Sequence, residues 1–223
     1  MSLKPEALLS EHGLGPVAGV DEAGRGACCG PITIAACILP DGEIPELSGL
    51  TDSKKLTPRA RERLFPLIKE IAVAWSVISI SAKAIDARGI QHANISGMRR
   101  AVALLDAAPG YVLTDAMRIP GLRVAHLPII GGDLAARSIS AASVLAKVTR
   151  DHHMVEMDAR YPEYGLAGHK GYSTKTHLAA VRRHGGTPEH RYTYANVAAA
   201  HLEWTQERGP TWTDTVEQEE GTA

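Results

Sequence analysis

Val20-Asp21-Glu22-Ala23-Gly24-Arg25-Gly26 is the stretch on which the reading of this chain turns: an acidic pair followed at once by an arginine bracketed by glycines. The apolar run Val17 to Val20 precedes it and the β-branched run Gly30 to Leu39 follows, so the glycines fall at a sharp connection between two strands. The acidic pair is therefore expected at a strand end. Neighbouring strand residues point to opposite faces, so Asp21 and Glu22 serve one site only if the chain is already turning at Glu22. Gly24 and Gly26 permit that turn, and a backbone bare of side chains beside Arg25 lets N–H groups approach an anion closely.

A length of 223 residues suits one domain with a C-terminal appendage and suffices for a sizeable hydrophobic core. Cys28, Cys29 and Cys37 all come early and without paired His/Cys spacing, which argues against a disulfide framework and a zinc site and fits a reducing, cytoplasmic setting. Met1 to Gly15 lack the basic start and apolar core of a secretory leader. No apolar run approaches membrane-spanning length, so no membrane partner is expected. The net charge of -1 hides an asymmetry: Glu203, Glu207, Asp214, Glu217, Glu219 and Glu220 face only Arg208 at the C-terminal end, leaving a mildly basic body. Within it Lys54, Lys55, Arg59, Arg61 and Arg63 form one cluster, and Lys170, Lys175, Arg182, Arg183 and Arg191 another, which together suit a surface that tracks phosphates.

Thr57 and Pro58 read as N-cap and first position of a helix running from about Arg59 to Ile71. Ala72 to Ser81 alternate as a third strand, and three successive strands favour an antiparallel meander. Ile90 to Ala107 carry apolar residues at helical spacing, stopped by Pro109-Gly110. Tyr111 to Thr114 form a short buried strand ending on Asp115. Arg123 to Ile130 form another, ending in Gly131-Gly132-Asp133. The longest helix is expected from Leu134 to about Arg160 with Asp133 as its N-cap. Gly168 to Thr174 make a second glycine-rich loop before a helix from Lys175 to His184, and Asn196 to Arg208 close with a helix. This order predicts an α/β fold with a mixed five-stranded sheet flanked by helices. Residues 1–16 are an N-terminal segment, 17–208 the folded domain with a small helical C-terminal extension from about 161, and 209–223 an acidic tail expected to be disordered.

Asp21 with Glu22, Asp115 and Asp133 share one property: each ends a predicted strand or starts the helix after it. Strand ends on one edge of a sheet are where distant segments meet. Crowded carboxylates repel one another unless divalent cations neutralise them, and ligation by oxygen alone selects Mg2+ or Mn2+ over zinc. Two such ions about 3.5–4 Å apart activate a water and stabilise the leaving oxygen of a phosphodiester. Asp151 is a rival for the fourth place. On a single helix it lies roughly 27 Å from Asp133, at ~1.5 Å per residue, so the two cannot share a site. Asp133 is taken as catalytic, and Asp151 is expected to pair with Arg150 or a nearby lysine.

Asp21 to Gly26, Asp52-Ser53-Lys54-Lys55-Leu56, Ile139 to Asp151 and His169-Lys170-Gly171-Tyr172 together resemble the signature blocks of bacterial ribonuclease HII, in that family's order from about Val17 to Tyr194. The resemblance implies an RNase H-like fold. It also implies an endonuclease that hydrolyses the RNA strand of RNA–DNA hybrids and nicks 5′ of ribonucleotides embedded in duplex DNA, leaving 5′-phosphate and 3′-hydroxyl ends, with two Mg2+ or Mn2+ ions. By the same resemblance Asp21, Glu22, Asp115 and Asp133 are the catalytic, metal-binding acids, and Gly24, Arg25, Gly26 and Tyr172 read the junction between ribonucleotide and deoxynucleotide. Ser53, Lys54 and Lys55 match a phosphate-contacting segment, and His169 and Lys170 belong to the substrate loop of Tyr172. A monomer acting in ribonucleotide excision repair is expected.

Only the 2′-OH distinguishes RNA from DNA at a given nucleotide, so selectivity needs close contact from a glycine loop on the ribose side. Tyr172 then stacks on the following deoxyribose or, alternatively, packs its own loop; Tyr161 and Tyr164 are assigned to packing. His169 and His177 read as phosphate or structural contacts rather than general acids. Ala116 stands where the family usually has glycine, which bears on the backbone beside Asp115. Two other readings stay open: a two-metal nuclease of the 3′ exonuclease type, and a nucleotide-binding module using Gly24, Gly26 and Gly30 as a phosphate cradle, although no Lys-Ser/Thr follows them.

Overall fold

A computed structural model describes residues 5–51 and 55–208. The expected contacts of Ser53 and Lys54, and the expected disorder of the tail, lie outside the described residues. In chain order the elements are α1 (Pro5–Glu11), β1 (Val17–Ala23), β2 (Ile32–Ile38), α2 (Pro58–Ile71), β3 (Ala74–Ile80), α3 (Ala82–Arg88), α4 (Ile90–Ala103), β4 (Tyr111–Asp115), β5 (His126–Ile129), α5 (Gly132–Ala135), α6 (Arg137–Arg160), α7 (Leu166–His169), α8 (Lys175–His184) and α9 (Ala195–Arg208). The strands form one mixed sheet in the order β3-β2-β1-β4-β5. β1, β2 and β3 pair antiparallel, as the meander required, while β4 and β5 run parallel to β1. Among the described residues no helix is long and apolar enough to cross a membrane.

The chain divides into two compact units. One holds the residues up to Arg25, Pro31–Ile80 and Ile90–His152; the other holds Gly26–Gly30, Ser81–Gly89 and the chain from His153 on. In the first unit β2 is buried along its whole length, which is why it reads as continuously apolar rather than alternating. Its even-numbered face meets α4, where a Cβ on Gly97 would stand 2.5 Å from Ile34 Cδ1. Its odd-numbered face, with Ala35 and Cys37, packs on Leu64 and Ile68 of α2 and on Ala141, Ala142, Leu145 and Ala146 of α6. Helix α2 starts as its sequence dictates, with Thr57 Oγ1 accepting the Ala60 N–H at 3.2 Å and Pro58 in the first turn.

Two expectations are corrected here. The acidic pair does not lie at a turn: β1 continues to Ala23, with Asp21 opposite Ala35 and Glu22 opposite Ile34. Pairing with β2 keeps the chain extended until Gly24, whose φ is +85°. The long helix is also two helices. Ala136 is extended (φ -126°, ψ 125°), and Gly131, in the left-handed region, rather than Asp133 occupies the N-cap of α5. The Ser140 hydroxyl donates to the carbonyls of Asp133 (2.6 Å) and Ala136 (3.1 Å), satisfying backbone groups that the break exposes. The 27 Å separation argued from one continuous helix therefore does not apply.

Helix α3 was not expected, although Ser81 capping it through the Ala84 N–H at 3.3 Å is a recognisable signal. In its unit Asp86 of α3 accepts from the N–H groups of Tyr192 (2.7 Å) and Thr193 (3.0 Å). The core there comprises Cys29, Met154, Met157, Tyr164, Leu166, Val181 and Ala200. Arg191, grouped by sequence with surface cations, is fully buried, and its Nε and Nη2 donate to the Gly30 carbonyl at 3.0 and 2.9 Å. A buried guanidinium persists because hydrogen bonds replace its lost water, so this arginine is a core residue and not part of a phosphate surface.

A Cβ on Gly19 of β1 would lie 2.1 Å from the Ser138 carbonyl carbon of α6, whereas one on Gly26 would meet nothing within 4 Å. In urea unfolding, Gly19→Ala is expected to lose about 3 kcal/mol or more, and Gly26→Ala to stay within about 0.5 kcal/mol of the parent. Ala116 holds a φ of +54°, a conformation costing an L-residue about 1–2 kcal/mol. Ala116→Gly relieves this while adding unfolded-chain entropy, so the same measurement is expected to show a gain of up to about 1 kcal/mol.

Candidate active site

Because β1, β4 and β5 are parallel, their C-terminal ends share one edge of the sheet. Val20 stands opposite Thr114, so Asp21 and Asp115, each the next residue, are neighbours across the ladder. Asp115 in turn stands opposite Ile129 of β5. The chain leaving β5 turns through Gly131 into α5, where the Gly132 N–H donates to Asp115 Oδ1 at 2.9 Å. Asp133 follows, 5% exposed.

Asp21 is likewise 5% exposed. Burial, the charge of Glu22 and, more weakly, that of Asp115 push its carboxyl up to about 7, against hydrogen bonds from Ser143 and the Glu22 N–H. That N–H donates to Asp21 Oδ1 at 2.7 Å. A carboxylate deprived of water and crowded by like charge is what a divalent cation stabilises, and an oxygen-only donor set fits Mg2+ or Mn2+. β1 is still extended at Glu22, yet among charged groups Glu22 acts most strongly on the Asp21 carboxyl, so the two acids stand close at this end of the sheet without a turn between them.

Ser140 and Ser143 of α6 escaped the sequence reading. Three residues apart, they lie on one side of the helix and tether the Asp133 carbonyl and the Asp21 carboxylate respectively. The available signal was a pair of serines on the packed face of an alanine-rich helix. Asp151 pairs with Lys147 at 2.7 Å, the lysine partner expected of it.

Arg25 is exposed and donates through Nη2 to Gln91 Oε1 at 2.9 Å, with Nη1 3.7 Å from Met117 Sδ. Beneath this loop lies Arg150, fully buried, whose Nε donates to the Pro31 carbonyl at 2.9 Å. A Cβ on Gly24 would fall 1.8 Å from that Nε. Lys55 is exposed at the start of the described residues after the gap.

In the second unit Tyr172 is 42% exposed. Gly171, at φ +75°, leaves no room for a Cβ, which would lie 2.4 Å from the Cys29 carbonyl oxygen. Its own carbonyl accepts from the N–H groups of Cys28 (2.9 Å) and Cys29 (3.2 Å). Both ring nitrogens of His169 are engaged within the loop: Nδ1 accepts the Gly171 N–H at 3.2 Å, and Nε2 lies 2.8 Å from the Tyr164 carbonyl. Lys170 Nζ donates to the Ala167 carbonyl. Tyr164 is buried, as assigned, and its hydroxyl donates to the Gly185 carbonyl at 2.7 Å. Cys29, His177 and His190, all buried, bring one ligand atom each within 4.8 Å of the others, a cluster that the spacing of His and Cys in the sequence does not show. No linear pattern connects residues so far apart in sequence.

The family model described as Ribonuclease HII matches residues 18–197. Ribonuclease HII of Corynebacterium efficiens is 71% identical over 199 residues, covering 89% of this chain and 86% of that protein. Ribonuclease HII of Corynebacterium glutamicum (strain R) is 71% identical over 196 residues, covering 88% and 94%. The crystal structure of the ribonuclease H2 from Pyrococcus horikoshii OT3 matches with a TM-score of 0.74 at 27% identity, over 85% of this chain and 99% of that one. With acids meeting at the ends of parallel strands on this fold, and relatives alike over nearly their whole length, the chain belongs to the ribonuclease HII family and with it to the ribonuclease H endonucleases.

Proposed function

We propose that this chain hydrolyses the RNA strand of RNA–DNA hybrids and nicks duplex DNA 5′ of an embedded ribonucleotide, with Asp21, Glu22, Asp115 and Asp133 holding two Mg2+ or Mn2+ ions. The observation that carries this reading is the placement of Asp21 beside Asp115 at neighbouring strand ends, with the Asp21 carboxyl pushed up to about 7 by burial and adjacent negative charge. Ions bound there supply activation of a water and stabilisation of the leaving oxygen. The rest is done by the chain. Ser143 and the Glu22 N–H orient Asp21, and the Gly132 N–H orients Asp115, so the acids are set before substrate arrives.

The open backbone around Gly26 supports close approach of a ribose 2′-OH, and Arg25, steadied by Gln91, offers a guanidinium to a phosphate. In the second unit the exposed Tyr172 ring offers a face for stacking on a deoxyribose, and Lys170 a charge for the backbone. Lys55 does the same in the first unit. His169, occupied on both nitrogens, shapes the loop instead of touching phosphate. Internal cleavage at a ribonucleotide suits removal of misincorporated ribonucleotides from DNA, in the cytoplasm and as a monomer.

Nicking is to be measured on three duplexes carrying no ribonucleotide, one, or a continuous run. Internal cleavage of the second and third only, abolished by chelation and restored by Mg2+ or Mn2+, is the expected pattern; degradation from an end rejects the proposal. Asp21→Asn, Glu22→Gln, Asp115→Asn and Asp133→Asn are each expected to lower the rate at least about 100-fold while hybrid binding survives, because the acids serve ions more than substrate grip. Tyr172→Ala is expected to slow nicking at the single ribonucleotide by about 5- to 150-fold, the equivalent of a stacking contact of ~1–3 kcal/mol. Wild-type rates in that variant assign Tyr172 to loop packing.

A further inference from the structure

Two buried histidines that the proposed chemistry does not use are linked by hydrogen bonds to the Tyr172 backbone. His190 Nδ1 accepts the Thr187 N–H at 3.0 Å. A backbone N–H can only donate, so in neutral His190 the ring proton sits on Nε2. That Nε2 lies 3.0 Å from His177 Nε2, which must then be the acceptor. The proton of neutral His177 is thereby placed on Nδ1, 3.0 Å from the Tyr172 carbonyl oxygen. Each bond fixes the tautomer of the next ring, and the chain of bonds ends on the residue proposed to stack on the substrate.

We propose that His190 and His177 form a two-imidazole relay that acts as the positioning device for Tyr172, holding its backbone so that the exposed ring is presented in one orientation; this rests on the substrate role of Tyr172 proposed above. The surroundings agree. Both rings are buried, and His169 stacks on His177 with centroids 4.4 Å apart. Tyr164 tilts against His190 at 5.1 Å. Cys28 Sγ lies 3.6 Å from His177 Nδ1 and Cys29 beside both rings; His201 stands near enough to His190 for its charge to be felt. Desolvation pushes both imidazoles down to about 4, so both are neutral at pH 7, the state in which one nitrogen donates and the other accepts. The same three-residue cluster is not read as a metal site. The two Nε2 atoms face each other at 3.0 Å, and an ion held between them would take both lone pairs, whereas the Thr187 N–H places the His190 proton on Nε2.

Two measurements decide this. In the full chain labelled with 15N-histidine at pH 7 and without substrate, long-range 1H–15N correlations are expected to show His190 protonated on Nε2 and His177 on Nδ1; the opposite tautomer at either ring overturns the relay. In single-turnover nicking of a duplex carrying one ribonucleotide, His177→Leu is expected to lower the rate at least about tenfold with binding little changed. His177→Asn keeps an N–H donor near the Nδ1 place and is expected to recover to within about threefold of the parent. On a Tyr172→Ala background His177→Leu is expected to add less than about twofold, since the residue it acts through is gone. A cooperatively folded His177→Leu with the parental rate, or one with its full effect on the Tyr172→Ala background, overturns the proposal. If His177→Leu loses cooperative unfolding, the tautomer pattern and His177→Asn decide. A parental rate for Tyr172→Ala alone rejects the substrate role of Tyr172 instead, and is distinguishable because the tautomers are read with no substrate present.

Discussion

Helix α6 lies against β1 so closely that Gly19 has no space for a methyl group over the Ser138 carbonyl, and the acidic end of the sheet depends on that approach. From Gly19 to Asp21 the strand advances about 7 Å at ~3.4 Å per residue. From Ser138 to Ser143 the helix advances about 7.5 Å at ~1.5 Å per residue. The two elements run in step, which delivers Ser143 to the Asp21 carboxylate. Ser140, one turn earlier on the same face, reaches back to the Asp133 carbonyl. A larger residue at position 19 would push the helix off the strand and move both tethers together.

The acids are expensive to hold, and the structure shows how the cost is offset. Asp21 gives up water and sits beside two like charges, yet keeps a backbone N–H at 2.7 Å and a serine hydroxyl. Asp115 is met by the first N–H of α5, where the unpaired amides of a helix start favour an anion. Beside it Ala116 stays in the left-handed region without being glycine. The Thr114 hydroxyl donates to the Met117 carbonyl across that turn, holding the backbone in the conformation that aims Asp115. These features leave the carboxylates fixed but incompletely neutralised, the condition under which cations are drawn in.

How much of this the amino-acid order revealed differs by scale. Strand and helix periodicity recovered the antiparallel β1-β2-β3 meander, the mixed five-stranded sheet and helix α8 at its observed ends, because burial of one face leaves a regular imprint. The gathering of Asp21 and Asp115 was legible because parallel strands bring their C-terminal ends to one edge. The break at Ala136 was not, since alanine is the best of helix formers and only the tertiary bonds of Ser140 and the turn at Gly131 stop the helix there. Nor was the persistence of β1 through Glu22, which is set by the length of its partner β2 and not by any local preference of an acidic pair. The buried arginines and the paired histidines left no trace, as each is defined by partners remote in sequence.

The two glycines around Arg25 show why a motif has to be divided before it is given a function. Gly24 is required by the fold on two counts: its φ is +85°, and a Cβ there would overlap the Arg150 guanidinium. Arg150 resists displacement, because moving the buried guanidinium would break the bond from its Nε to the Pro31 carbonyl. None of the described residues makes an equal demand at Gly26, whose φ lies outside the left-handed region and which has open space where a side chain would stand. Gly24 therefore shapes the loop that holds Arg25, and at Gly26 the space a side chain would fill is open, as the proposed approach of a ribose requires.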